Sequence, residues 1–348
     1  MSSGSYAVSG ATQLLNFGSF TSGNTQFSLP IRVDALGRVE VAEVAVQSIA
    51  RNEDDQAVMR YVEAATANAT RKAYQGDLRD FLAWGGLIPS TPEVLAAYVA
   101  ARSQLHAPAT ILRRMIGIGR AHTSLGFPDP AKADLVRTVL RGCRRLHGKP
   151  QRQAAPLLRQ DLFPILEQMS GMRGLRDRAL LLLGFAAALR RSELVGLDVE
   201  HLEFVPEGLL VHLLRSKTDQ SGCGRKIAVP FGRTAACPVK AVSNWMAAAG
   251  IGCGPLFRSV SKAGAVSARR LSDQSVALIV KRNVNVIGLP KVAYSGHSLR
   301  SGLVTCAAQL GVGLMKIQEQ TGHRSLNMLS RYVRDANVFE NNAAGCVL

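Results

Sequence analysis

Between Gly148 and Pro156 the chain reads Gly-Lys-Pro-Gln-Arg-Gln-Ala-Ala-Pro, a polar stretch bounded by two prolines. Proline lacks an N–H and biases the residue before it away from the helical region, so a helix does not run through such a stretch. The 348 residues therefore divide into two halves that each build their own core. The expected organisation is an N-terminal arm at 1–45, a helical domain at 46–147, a linker at 148–156, a second domain at 157–337 and a tail at 338–348.

The first half reads as helices. Asn68-Ala69-Thr70 can cap one that carries Ala73, Tyr74, Phe81, Leu82 and Trp84, ended by Gly85-Gly86. Thr91-Pro92-Glu93 opens another, with proline in its first turn and an acid at the positive end of the dipole. Ala109–Leu125 and Ala131–Leu146 follow, the latter with Leu135, Val139 and Leu140 inside and four arginines largely outside. The second half opens with helices at Asp161–Met169 and Leu175–Leu189. A hairpin of Gly208–Leu214 and Lys226–Phe231 comes next, with the turn-rich Ser216–Gly224 between its strands. Helices resume at Val239–Ala249, Ser272–Ile287, Leu299–Leu310, Met315–Thr321 and Leu326–Asp335. The fold class is mainly α, two domains with a small antiparallel sheet in the second. Residues 1–45, rich in Ser, Gly, Ala and Thr and weakly periodic, read as a flexible or loosely docked arm.

Charge narrows the partner. Forty-two Lys and Arg against 25 Asp and Glu give a net +17, which points to a polyanion, nucleic acid before membrane. The excess is concentrated: residues 101–160 hold twelve basic residues against Asp129 and Asp134, whereas 1–50 are slightly acidic. The six cysteines contain no Cys-x-x-Cys pair, which argues against a disulfide framework or a zinc site. No signal-peptide pattern opens the chain, and the most apolar run, Ala179–Leu189, is too short to span a bilayer. The expectation is a cytoplasmic protein; a bacterial, phage or plasmid source and a place at the nucleoid are implied only by the family that its site residues resemble.

The chemistry-bearing residues cluster near the C-terminus. Tyr294-Ser295-Gly296-His297-Ser298-Leu299-Arg300 is followed by Thr321-Gly322-His323 and Ser330-Arg331-Tyr332. His297 and Arg300, three apart near a helix start, share a face and can meet one ligand. Arg190 ends the apolar helix, and its planar fork can grip two phosphate oxygens, with Glu193 one turn on to orient it. Lys217, on the hairpin loop, can reach into a cleft. Tyr332 is a candidate nucleophile once cations stabilise its phenoxide; Tyr294 suits packing better. Each residue also has a plain structural reading: a surface ion pair, a solvated lysine, a satisfied histidine, a half-buried tyrosine. His297 and His323 lack a third metal ligand at sensible spacing.

Arg190, Lys217, His297-x-x-Arg300, His323 and Tyr332, in that order, resemble the signature of the tyrosine recombinases, the phage-integrase-type family. The details of residues 295–302, the Arg215–Gly224 loop and the run Thr70–Pro130 look like its Cre-like branch, over roughly residues 50–340. That branch has tryptophan where this chain has His323, and Ala187-Ala188 replaces a small Thr-Gly pair common before the first arginine. The resemblance implies a two-domain DNA clamp. Arg190, Arg300 and His323 would hold the scissile phosphate, His297 would take the proton of Tyr332, Lys217 would be the general acid and Glu193 would orient the site. A 3′-phosphotyrosyl bond would carry the strand through a Holliday junction without ATP, metal or other cofactor.

The implied partner is double-stranded DNA with inverted-repeat sites, bound by a homo-tetramer assembled from monomers through the tail. Arg71, Lys72, Arg113, Arg114 and Arg120 are the expected DNA contacts of the first domain. Arg269, Arg270 and Gln274 are those of the second, with Gln274 able to read adenine. A type IB topoisomerase or telomere resolvase, and a catalytically silent DNA-binding protein, are the competing readings.

Overall fold

The computed structural model describes residues 53–149, 153–214 and 224–336, together with the backbone of five short strands ahead of them. The chain forms two compact units, Met1–Gln151 and Arg152–Leu348. The fold is mostly helical with small antiparallel sheets.

The first unit contains α1 (Glu53–Ala64), α2 (Asn68–Ala83), α3 (Pro92–Ser103), α4 (Pro108–Ser124) and α5 (Asp134–His147). Thr91 caps α3, its hydroxyl accepting from the Val94 amide at 3.5 Å, with Pro92 in the first turn. Leu78, Phe81, Leu95, Tyr98, Ile111 and Ile118 form the core, Phe81 and Tyr98 meeting edge to face at 5.0 Å.

Several expectations need correcting here. The Asn68–Thr70 segment makes no side-chain cap to α2, which begins at Asn68 itself. In α5 the buried positions are Val136 and Cys143, while Leu135 is exposed. Helix α1 was not foreseen from the sequence. The arm at 1–45 carries strands: β1 (Gln13–Asn16), β4 (Pro30–Val33) and β5 (Val39–Val41) make an antiparallel sheet in the order β1-β4-β5, and β2 (Phe20–Ser22) pairs with β3 (Thr25–Phe27). The signal was present in the two-residue Gly23-Asn24 step between Ser22 and Thr25, a strong hairpin spacing, and in the β-branched Ile31, Val33, Val39 and Val41.

Arg114 is the main correction in this unit. It is buried, donates to Asp80 Oδ2 at 2.6 Å and to the Tyr98 hydroxyl at 3.2 Å, and lies 3.8 Å from Asp77. Arg102 meets the other oxygen of Asp80 at 2.9 Å and Arg113 meets Asp77 at 2.7 Å. Two carboxylates of α2 therefore bind arginines of α3 and α4, and Arg114 is an internal brace rather than a DNA contact.

The second unit begins with α6 (Arg159–Glu167), α7 (Gly171–Ala186) and α8 (Arg191–Gly196). The sheet β6-β7-β8 follows, made of β6 (Leu202–Val205), β7 (Gly208–Leu213) and β8 (Arg225–Pro230). It has one strand more than the expected hairpin. Next come α9 (Pro238–Ala249), a second small hairpin of β9 (Arg258–Val260) and β10 (Val266–Arg270), α10 (Asp273–Val286), α11 (Ser298–Gln309), α12 (Leu314–Thr321) and α13 (Leu326–Ala336).

The core is built around the apolar face of α7 with Leu194, Leu209, Ile227, Trp245 and Leu299, and the Trp245 indole donates to the Leu256 carbonyl at 2.8 Å. Gly302 lets the Leu157 segment lie on α11, since a Cβ there would come within 2.0 Å of the Leu157 carbonyl oxygen. Among the described residues no helix is long and apolar enough to cross a membrane.

Removing Arg114 leaves Asp77 and Asp80 short of a partner. Arg114→Ala should destabilise the first unit by about 3–5 kcal/mol, the usual effect of breaking a buried ion pair. Arg120→Ala, at an exposed site, should leave stability nearly unchanged; denaturant titration of the two variants checks the contrast.

Candidate active site

The site begins where α7 stops. The expected helix to Leu189 ends at Ala186, because Ala188 takes a left-handed φ of 49° and turns the chain toward α8. That conformation strains any residue with a Cβ, by roughly 1–2 kcal/mol. Here it presents the Ala188 carbonyl to Arg300, whose Nη1 donates to it at 2.6 Å.

Arg300 lies in the first turn of α11 and is 1% exposed. Its Nη2 is buried and has no partner among the described residues. Burial and then the neighbouring Arg190 lower its pKa to about 10, which leaves it charged at neutral pH. Arg190 is the N-cap of α8 and is gripped by Glu193 at both ends. Its amide donates to one carboxylate oxygen at 2.8 Å and its guanidinium to the other at 2.6 Å. Glu193, itself buried, holds Arg190 in place and partly offsets the charge of the pair.

His297 precedes α11, its amide donating to Ser295 Oγ at 3.1 Å. Its Nε2 lies 3.1 Å from the Tyr332 hydroxyl. Desolvation, then the charges of Arg300, Arg190 and Arg191, holds the imidazole below its ordinary pKa. His297 keeps an exposed surface, so solvent moderates both effects. A neutral ring whose Nε2 accepts from the phenol is the arrangement a general base requires.

His323 follows the left-handed Gly322 that ends α12. Its Nδ1 is 2.6 Å from Thr321 Oγ1, which also lies 2.7 Å from the Ile317 carbonyl, and its own carbonyl accepts from Gln318 at 2.8 Å. Burial, followed by the charges of Arg300, Arg190, His297 and Arg225, brings its pKa down to about 3. Its ring centroid is 6.4 Å from that of Tyr332. Val304, Ala308, Ile317 and Leu329 form a small core on which Tyr332 rests, and α13 thereby brings its phenol to His297.

The structure thus unites Arg190, Glu193, His297, Arg300, His323 and Tyr332; Lys217 lies outside the described residues. Tyr294 is buried and desolvation raises its pKa, so it is a packing residue. Sequence reasoning missed Arg225, whose charge is felt at Arg300 and His323. The signal was the alternation Arg225, Ile227, Val229, which sends the arginine to the same side of β8 as two buried residues.

The remaining basic residues separate by burial. Arg71 and Lys72 are exposed at the start of α2, and Arg120 is exposed with its guanidinium 5.3 Å from the Tyr74 ring centroid. Arg113 is exposed but paired with Asp77. Arg269, and Gln274 in the first turn of α10, are exposed. Arg270 is a tether, donating to the carbonyls of Val195 and Leu197 at 2.7 and 3.2 Å and to Asp198 at 2.5 Å. Both its terminal nitrogens have acceptors within the protein, while the side chain keeps an exposed surface.

The sequence profile described as the phage integrase family matches residues 157–338, spanning all of these site residues in the second unit. The chain belongs to that family. It is 38% identical over 295 residues to the integrase/recombinase XerD homolog of Selenomonas ruminantium, covering 82% of this chain and 86% of that protein. To the recombinase Cre of Escherichia phage P1 it is 26% identical, covering 74% and 81%. It is a tyrosine recombinase, and the likeness to Cre loosely supports the Cre-like branch, the XerD homolog being the more similar of these two. Among solved structures, the XerH site-specific recombinase bound to a palindromic difH substrate has the same fold, with a TM-score of 0.58 at 18% identity over 80% of this chain and 78% of that one. A lambda integrase dimer bound to a COC′ core site superposes with a TM-score of 0.56 at 18% identity, covering 80% and 94%.

Crowding by cations fixes the pH behaviour of the free protein. A folded pKa of about 3 against an ordinary 6.5 means that, as pH falls, the unfolded chain protonates His323 before the folded one does. Stability from this group is therefore full above pH 6.5 and is lost as pH falls toward 3. Imidazole NMR should find His323 neutral at pH 6; a titration near 6.5 would refute the desolvated site.

Proposed function

We propose that the protein is a site-specific DNA recombinase that cleaves and rejoins strands through Tyr332. The observation that carries this reading is the 3.1 Å contact between the Tyr332 hydroxyl and His297 Nε2, beside Arg190 and Arg300. The phenol proton passes to His297 as Oη attacks phosphorus. Arg190, Arg300 and His323 hold the non-bridging oxygens as charge builds on them. The bond from phosphorus to the 5′ oxygen breaks, and Lys217 supplies the proton to that oxygen. The 3′-phosphotyrosyl ester retains the energy of the diester, so attack by a 5′ hydroxyl of a second strand reverses the step without ATP or metal. Two such exchanges pass through a Holliday junction.

A neutral imidazole with a depressed pKa suits the base, and the phosphate's negative charge would raise the pKa of both histidines on binding. The Thr321 hydroxyl has one proton, and giving it to His323 Nδ1 instead of to the Ile317 carbonyl leaves the neutral ring with an Nε2–H to offer the phosphate.

The partner is duplex DNA with inverted-repeat sites, bound by both units and read by Gln274 among others. A tetramer forms on DNA from free monomers, using the tail at 338–348, which lies outside the described residues, and the protein resides with the nucleoid. Basic residues on both units support the extended contact. If roughly eight phosphates are neutralised, the log–log salt dependence of binding should have a slope near −7; a slope near −2 would exclude a clamp around the duplex.

Nicked duplexes from the inverted repeats flanking the gene, and a randomised nicked library, test the chemistry on denaturing gels in EDTA. Wild type should form a covalent adduct, while Tyr332→Phe should bind with the same affinity and form none. Salt-sensitive binding with no adduct from either DNA would favour a silent DNA-binding protein, and a hairpin-ended product a telomere resolvase.

A further inference from the structure

Arg225 stands outside the residues assigned to the reaction, yet it sits among them. It opens β8 directly after the segment that carries Lys217. Its Nη1 donates to the Gln320 carbonyl at 3.0 Å, one of the unpaired carbonyls at the end of α12. The guanidinium lies against Gly322, where a Cβ would come within 2.9 Å of Arg225 Cζ. Gln320 completes the same junction, its amide donating to the carbonyls of Ala186 and Ala228 at 2.8 and 3.2 Å. Arg225 is thus fixed in place immediately before His323.

One of its terminal nitrogens remains over. Nη2 of Arg225 is buried and has no partner among the described residues. In the second unit, the one other buried side-chain nitrogen or oxygen in that condition among the described residues is Nη2 of Arg300. A buried N–H on a charged group that has given up water and gained no acceptor carries its full desolvation cost. Two such donors, on guanidiniums close enough for the charge of one to depress the pKa of the other, leave a place for one anion with several lone pairs. The remaining buried atoms without a hydrogen bond lie on Asp77, Asp80, Arg102 and Arg114 of the first unit, where cations and carboxylates already face each other and no anion is called for.

We propose that Arg225 is a third guanidinium of the phosphate site, its Nη2 and that of Arg300 donating to the same phosphate group. The inference rests on the reading of this site as the holder of the scissile phosphate. It gives Arg225 two tasks at once: Nη1 holds the turn that presents His323, and Nη2 meets the anion. A lysine in its place would keep the charge but could not span both acceptors with a planar fork.

Two measurements test it. Inorganic phosphate is titrated into the full-length protein while the arginine Nε–Hε signals are followed by NMR. The Arg225 and Arg300 signals should move together with one dissociation constant, and Arg225→Met should weaken the response of Arg300 by about tenfold. Movement of Arg300 while Arg225 stays still overturns the proposal. This titration needs no DNA target, so it decides on Arg225 even if wild type forms no adduct and the recombinase reading fails.

The second measurement is single-turnover cleavage of a duplex that yields the wild-type adduct. Arg225→Met should cleave about 10²–10³ slower with DNA affinity little changed, and Arg225→Lys should recover part of the rate. With a neutral methylphosphonate at the scissile position, the Arg225→Met deficit should shrink, because the charge it met is gone. An equal deficit on both substrates would reduce Arg225 to a holder of the Gln320 turn and overturn the phosphate contact.

Discussion

A guanidinium buried to 1% exposure must find acceptors inside the protein, and the second unit is arranged to supply one to Arg300. The acceptor is the Ala188 carbonyl, available only because the chain leaves α7 through a left-handed residue. That same turn ends α7 early and starts α8 with Arg190 as its N-cap. One strained peptide thus places both arginines, and Glu193 locks the second through two hydrogen bonds. Strain in the backbone at this point is offset by a buried, charge-assisted hydrogen bond.

The histidines take their character from these arginines. Packing positive charge around an imidazole favours its neutral form, and desolvation acts in the same direction. The site therefore holds permanent cations on guanidinium, which scarcely deprotonates, and proton acceptors on imidazole, which readily stays neutral. The division follows from intrinsic pKa values that no neighbour could easily interchange. The small core of α11, α12 and α13 then needs only to carry Tyr332 to His297, a contact between residues 35 apart in sequence.

Helix positions were largely legible because apolar periodicity and punctuation by glycine and proline act locally. Thr91, Pro92 and Glu93 begin a helix whatever lies around them. The exceptions share a cause. Leu135 and Val136 are neighbours of equal hydrophobicity, and only the placement of α3 against α5 decides which is buried. The apolar run Ala179–Leu189 reads as one helix, since nothing in Ala187-Ala188 announces a positive φ where glycine would. Arg113, Arg114 and Arg270 look alike in sequence, and their fates depend on carboxylates and carbonyls 36, 34 and up to 75 residues away.

The sequence by itself determined the chemistry available: the order of Arg190, His297, Arg300, His323 and Tyr332, the +17 charge, and the proline-bounded break between two halves. These are properties of residue type and spacing, which need no neighbours to be read. Only the tertiary structure decided which cations face a ligand and which brace the protein. It buried Arg114 against Asp77 and Asp80, tied Arg270 to the end of α8, and brought Arg225 from β8 to the His323 turn. An arginine's role is set by which acceptors reach its five N–H groups, and that depends on distances the linear chain does not contain.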